Sequence, residues 1–151
     1  MTNSPFTSTE RMASLKVAVT GSVSAGLVGF IILLGHRILD LGLDGIALSF
    51  LGGIASLTLI YDAFIAAISG ALFALTYRYA IRMDKNPQLN GGVVLAFTLV
   101  RGLAQVDAGS AIAQNFWPFL SACGESFGIF GLTALVLNFA IARGWLTAFG
   151  E

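Results

Sequence analysis

The sequence predicts an all-α integral membrane protein, a four-helix bundle with a short interfacial or re-entrant segment before its second span. Only 11% of its 151 residues are charged, whereas 56% are hydrophobic and the mean hydropathy is +0.85. Soluble domains carry about 25% charged residues. Because eight basic residues balance eight acidic ones, the chain also lacks the basic surface of a nucleic-acid-binding protein.

The chain begins with a polar, Ser/Thr-rich segment at 1–16, which we predict to be a flexible tail. The first span is predicted from Val17 to Gly35, because no charge lies between Lys16 and His36. This stretch would rise about 28 Å as a helix, close to the thickness of the hydrocarbon core. No A-x-A-like cleavage site follows it, so we expect a retained helix rather than a secretory signal.

The second apolar stretch, 45–77, contains one charge, Asp62. As one helix it would rise about 50 Å, too far for a perpendicular crossing. We therefore predict a short interfacial or re-entrant piece at 45–51, broken at Gly52-Gly53, and a tilted span at 54–77. Two short crossings with a turn at Asp62 are the alternative, although no Pro or Asn-Gly marks a turn there.

Two further spans are predicted at 89–106 and 119–142. A polar loop precedes the first of them, and its Asn86-Pro87 pair is typical of a helix start. A second polar link, 107–118, separates the two spans. The single domain therefore covers 17–151 and crosses the membrane four times.

The basic residues predict the orientation. If both termini are cytoplasmic, the inner segments hold Arg11, Lys16, Arg78, Arg82, Lys85 and Arg143, and the outer links hold Arg37. This bias agrees with the positive-inside rule. Arg78, Arg82 and Lys85 are also candidates for contact with anionic lipid headgroups, although setting the topology is the favoured role.

Three ionisable residues interrupt the spans: Asp62, Arg101 and Glu125. A charge at the bilayer centre costs about 2.5–3.5 kcal/mol, so such residues are usually paired. The predicted topology places all three in the outer half of the membrane. We expect Arg101 to pair with Asp62, Glu125 or both, as a structural ion pair that fixes helix register. A pathway for a proton or small ion and a contact to a partner subunit are the alternatives.

Small residues recur three or four positions apart on the spans and predict close helix packing. The predicted packing residues are Ser22, Gly26, Gly29, Ser69, Gly70, Gly124 and Gly128. His36 lies at the outer end of the first span. It is a candidate pigment or metal ligand, but no second ligand sits at suitable spacing on that helix. A solvated interfacial histidine is therefore the favoured interpretation.

Motifs for chemistry are absent from the sequence. There is no H-E-x-x-H, nucleophile elbow or phosphate-binding glycine pattern, and Cys123 is the single cysteine. We therefore expect no catalytic residue, no metal and no cofactor.

The segment from Thr76 to Asp107 carries two motifs: Y-R-Y-A-I-R-M-D-K-N-P-Q-L from Tyr77, and G-V-V-L-A-F-T-L-V-R-G-L from Gly92. The segment resembles a family of small multi-span membrane proteins of cyanobacteria and plant plastids. The resemblance implies a thylakoid or related photosynthetic membrane as the setting. It implies no activity or cofactor, and only draws attention to Arg78, Arg82 and Arg101.

The favoured function is that of a small accessory or assembly protein of a membrane complex, which acts through helix packing. Its expected partners are the lipid bilayer and another membrane protein or a second copy, without nucleic acid. An ion or proton transporter that uses the buried charges is the alternative. A pigment- or quinone-binding membrane protein is the second alternative.

Overall fold

The computed structural model describes residues 7–42, 54–82, 86–105 and 116–150. Within these ranges the chain forms four helices and no strand: α1 (Ser8–Leu41), α2 (Ile54–Ile81), α3 (Pro87–Ala104) and α4 (Trp117–Ala142). The predicted all-α, four-helix fold is confirmed. The predicted re-entrant piece at 45–51, the Gly52-Gly53 break and Lys85 lie outside the described residues.

Three of these helices, α1, α2 and α4, are long and apolar enough to cross a membrane. The helix α3 is not among them, because its 18 residues include polar side chains in the first turn and Arg101 in the last. Its length still corresponds to about 27 Å. The helix α2 continues without a break through Asp62, so the alternative of two short crossings with a turn at that residue is wrong.

The first helix begins at Ser8 rather than at the predicted Val17, and it contains much of the predicted flexible tail. Thr7 is its N-cap, and the Thr7 side chain accepts a hydrogen bond of 3.3 Å from the Glu10 backbone N–H. Threonine followed three residues later by glutamate is the capping-box spacing. This cap stabilises the start of α1. The polarity of the segment, taken alone, predicts a flexible tail instead.

The closest contact in the bundle joins α1 to α2, which run antiparallel. A Cβ atom added to Gly21 would lie 2.6 Å from the Gly70 carbonyl oxygen, and one added to Gly70 would lie 2.5 Å from the Gly21 carbonyl oxygen. Neither position has space for a side chain. Glycine at both positions therefore lets the two backbones touch, the arrangement that favours helix association in lipid.

This contact extends along two rows of small residues with a spacing of four. Gly21, Ala25 and Gly29 form the row on α1, and Ala66, Gly70 and Ala74 form the row on α2. We call these six residues the small-residue contact. A Cβ atom on Gly29 would lie 2.8 Å from the Ala66 Cβ atom. Since residues i and i+4 lie on the same helix face, each row forms a surface without large side chains, against which the other helix can pack closely.

The predicted packing residues divide into two groups. Gly29 and Gly70 belong to the small-residue contact, and an added Cβ on Gly26 would lie 3.3 Å from that of Ala67. Gly128 packs more loosely, against Ile32 at 3.4 Å. Ser22 is half-buried, Ser69 donates a hydrogen bond to the Ile65 carbonyl oxygen of its own helix, and Gly124 is exposed without a close neighbour.

An aromatic cluster joins the other helices at the centre of the bundle. The rings of Phe73 on α2, Phe97 on α3 and Phe130 on α4 have centroids 5.1 to 5.5 Å apart. Tyr77 packs against Phe73 at 5.3 Å. Nearby, Gly102 of α3 lies directly against Cys123 of α4. Together with the antiparallel contact of α1 and α2, these contacts place the start of α1 and the ends of α2 and α4 at the same end of the bundle. We call this the inner end and the opposite one the outer end.

We expect Gly70→Ala to lower the thermal midpoint of the purified protein in detergent, because its methyl group would push α1 and α2 apart. Overpacking of this kind costs about 1–3 kcal/mol. The matched control is Gly124→Ala, whose Cβ meets nothing within 4 Å. Alanine in a helix gains about 0.5–1 kcal/mol over glycine, so the control should melt at or above the native midpoint. Equal midpoints for both variants would contradict the close contact.

Candidate functional site

The most enclosed charge in the described part of the chain is Arg78, near the end of α2. Its residue exposure is 2%, and its side chain has no exposed surface. A buried guanidinium is costly unless its donors are satisfied. The groups that satisfy it come from α1 and from the segment after α4.

Four hydrogen bonds hold the Arg78 guanidinium. Nη2 lies 2.7 Å from Glu10 Oε2, and Nη1 donates to Ser14 Oγ at 2.9 Å. Nε donates to the Thr147 carbonyl oxygen at 3.0 Å, and Nη2 also reaches the Ala148 carbonyl oxygen at 3.5 Å. Arginine suits this position because its planar fork presents several donors in fixed directions.

Two aromatic rings complete the enclosure. The Arg78 Cζ atom lies 5.7 Å from the ring centroids of both Tyr79 and Phe149, within cation–π range. The two rings meet edge to face at 4.9 Å. The Tyr79 hydroxyl also forms a hydrogen bond of 2.8 Å with Ser14 Oγ. We call Glu10, Ser14, Arg78, Tyr79 and Phe149 the Arg78 cluster.

The chain reaches this cluster through a sharp turn after α4. Gly144 adopts φ +70°, which glycine accepts without strain. The Trp145 N–H donates to the Ala140 carbonyl oxygen and the Gly144 N–H to that of Ile141, both at 2.9 Å. This is the Schellman pattern of helix termination. It directs Leu146 and Ala148 into buried positions and delivers the Thr147 carbonyl to Arg78.

The structure changes the interpretation of the basic residues at the inner end. Arg78 is enclosed by protein, so contact with a lipid headgroup does not agree with its burial. Arg82 is exposed and stacks on Phe149, with Cζ 5.7 Å from the centroid. The spacing of residues along α2 does predict the burial of Arg78. Arg78 follows Ala66, Gly70 and Ala74 at the same spacing of four and so shares the face that meets α1.

A second group of charges lies at the outer end. His36 Nδ1 of α1 lies 2.9 Å from Glu125 Oε1 of α4. The His36 side chain is 46% exposed, as expected for an interfacial histidine, but its carboxylate partner comes from another helix. Beside this pair, Arg37 Nη2 donates to Thr58 Oγ1 at 2.6 Å and so links α1 to α2.

The expected direct pairing of Arg101 with Asp62 or Glu125 is not formed among the described residues. Asp62 and Glu125 both attract Arg101 electrostatically. Among the described residues, the carboxylates that lie within 4 Å of a basic side chain are Glu10, beside Arg78, and Glu125, beside His36, so Arg101 touches neither Asp62 nor Glu125. Arg101 is half-buried and its Nε atom has no hydrogen-bond partner, whereas Asp62 is exposed. Glu125 therefore contacts His36 directly and attracts Arg101 over a longer distance.

The chemistry available at either end is limited. The described residues contain no group of three or more His, Cys, Asp or Glu side chains that could hold a metal ion. Cys123 packs against Gly102 as a small side chain between two helices.

Comparisons with protein-family models, with curated proteins and with solved structures yield no match for this chain. The function is therefore inferred from the geometry of the two charged ends and of the helix surfaces.

We expect Arg78→Ala to lower the free energy of unfolding by about 3–5 kcal/mol, because Glu10 would keep its charge in a largely enclosed position without its partner. Thermal melting in detergent measures the loss, and faster proteolysis after residue 144 should accompany it. Arg143→Ala is the control, since Arg143 is exposed and stacks on the Phe139 ring, 4.7 Å from Cζ, without joining the Arg78 cluster. A native melting curve for Arg78→Ala would show that the cluster does not stabilise the fold.

We expect Arg101→Ala to lower the melting temperature, because Asp62 and Glu125 would lose a cation that attracts both of them. Adding Asp62→Asn removes one of the two carboxylate charges and should restore part of the loss. A double-mutant cycle should give a coupling of up to about 1 kcal/mol between the two sites, as for exposed charges. Additive effects of the two substitutions would mean that these charges do not interact.

Proposed function

We propose that this protein is a small accessory or assembly protein of a membrane complex, which acts by helix packing against another membrane protein or a second copy. The observation that carries the proposal is a set of exposed helical glycines at which a side chain would meet no close neighbour among the described residues. An added Cβ atom at Gly91, Gly92 or Gly124 would meet nothing within 4 Å, and all three residues are exposed.

Glycine inside a helix costs about 0.5–1 kcal/mol relative to alanine. The small-residue contact recovers this cost by bringing α1 and α2 together, but Gly91, Gly92 and Gly124 have no such contact. On α3, Gly92 and the exposed Ala96 share one face at a spacing of four. This face has the composition of the α1–α2 contact and is open to a helix from outside.

The two charged ends support a rigid scaffold with a defined orientation. Contacts of Glu10 and Thr147 with Arg78 bring both ends of the described chain to the inner end of the bundle. Lys16, Arg82 and Arg143 lie there too. By the positive-inside rule we propose that this end faces the cytoplasm, or the stroma if the membrane is a thylakoid. The thylakoid setting follows only from the resemblance of the segment from Thr76 to Asp107.

Ion or proton transport is a second candidate, favoured by unpartnered polar atoms inside the bundle. The hydroxyls of Thr98 and Ser126 are buried without a hydrogen-bond partner, as is the Nε atom of Arg101. Water molecules bound to these groups would continue the polar region from the outer end into the interior of the bundle. Vesicles reconstituted with the purified protein should show proton or cation flux under this candidate and none under the assembly role.

We expect Gly92→Leu to release the partner, because leucine would block the open face of α3. The experiment is purification of a tagged chain from its own membranes in a mild detergent, followed by measurement of the mass and composition of the complex. The matched control is Gly35→Leu on α1, where an added Cβ also meets nothing within 4 Å. Both variants should melt like the native chain when purified alone.

The native chain and Gly35→Leu should migrate with a stoichiometric partner or as an oligomer, and Gly92→Leu should migrate as a monomer. A native chain that is monomeric under these conditions would contradict the proposal. So would a partner that stays bound to Gly92→Leu.

A further inference from the structure

A crevice of about 720 Å³ lies between α3 and α4 and reaches Tyr77 of α2. This volume is within the usual range of small-molecule sites, about 300–1,000 Å³. Apolar side chains and glycines form most of its wall, including Val94, Leu95, Phe127, Gly131 and Leu135. Three polar side chains also line it: Tyr77, Asn90 and Asn138.

The two asparagines keep hydrogen-bonding groups that the protein does not use. The Tyr77 hydroxyl donates to Asn138 Oδ1 at 3.1 Å, so the Asn138 amide has its nitrogen left as a donor. Asn90 Oδ1 is buried and has no hydrogen-bond partner. A buried acceptor without a partner is destabilising in a folded chain. A ligand that donates to Asn90 and accepts from Asn138 would satisfy both groups.

The position of these groups along the bundle defines the polarity of the crevice. Asn90 lies in the first turn of α3, and Asn138 lies about 6 Å before the end of α4. Both are therefore near the inner membrane interface. Phe127 and Gly128 line the opposite part of the crevice, about 15 Å further along α4 towards the bilayer centre. A polar end at the interface and an apolar end in the bilayer match the orientation of an amphipathic lipid.

We propose that the crevice between α3 and α4 binds a lipid-soluble molecule with a terminal hydroxyl, held by Asn90 and Asn138. A hydroxyl both donates and accepts, as these two side chains require. An ether or ketone oxygen only accepts, and a hydrocarbon does neither. Gly91 also lines this crevice, but the proposal rests on Asn90 and Asn138 and does not depend on the face of Gly92 and Ala96 or on the assembly role.

The test uses hexadecanol that carries a diazirine on its chain, added to the purified chain in phosphatidylcholine nanodiscs and cross-linked by light. Peptide mapping should place the label on residues of α3 and α4 that line the crevice. Unlabelled hexadecanol should compete about fivefold better than hexadecyl methyl ether, which cannot donate, since that ratio corresponds to one hydrogen bond.

Two variants and one control make the test specific. Gly131→Leu should abolish labelling, because Gly131 lines the crevice and an added Cβ there meets nothing within 4 Å, so the leucine side chain would occupy the ligand's space. Asn90→Leu should keep the crevice but remove the preference for hexadecanol over its ether. Gly35→Leu adds the same bulk to α1 outside the crevice and should label like the native chain.

Labelling that survives Gly131→Leu, or that hexadecanol and its ether reduce equally, would overturn the proposal. A label mapped outside α3 and α4 would overturn it as well. So would a cross-link from the crevice to a copurifying polypeptide, because the occupant would then be a protein helix. If Gly131→Leu does not fold, the competition ratio in Asn90→Leu decides between the outcomes.

Discussion

The backbone contact between Gly21 and Gly70 is the constraint on which the rest of the arrangement depends. In lipid, helices gain no hydrophobic free energy by meeting, so close van der Waals packing has to hold them together. Two rows of glycine and alanine supply that packing along α1 and α2. They also fix the register of the two helices, since a shift by one residue would bring larger side chains into the gap.

That register determines which polar groups meet beyond each end of the small-residue contact. At the inner end it sets Arg78 beside Glu10 and Ser14, so a charge that would otherwise be costly in a membrane has several donors satisfied. At the outer end it brings Arg37 to Thr58 and leaves His36 facing Glu125 of α4. The aromatic cluster then holds α3 and α4 against α2, and the crevice remains between them.

Much of this fold could be predicted from sequence, because long apolar runs and scarce charges define membrane helices with little ambiguity. The depths along the spans predict that Arg101 pairs directly with Asp62 or Glu125, and the described residues do not form this pair. A pairing between helices depends on helix rotations that one sequence does not specify, and Glu125 contacts His36 instead. The burial of Arg78 does not follow from polarity, because the polar segment 1–16 predicts a flexible tail and contains both Glu10 and Ser14. The Thr7-x-x-Glu10 spacing, by contrast, is typical of a helix start.

The most direct measurement of the α1–α2 register is disulfide formation between Gly26→Cys and Ala67→Cys, with Cys123→Ser to remove the native thiol. The added Cβ at Gly26 and the Ala67 Cβ lie 3.3 Å apart, near the separation in a disulfide. Val23→Cys with Ala67→Cys is the control, because Val23 is exposed on another face of α1. We predict rapid oxidation in membranes for the first pair and little for the second. Equal cross-linking of both pairs, or none at 26 and 67, would contradict the α1–α2 register described above.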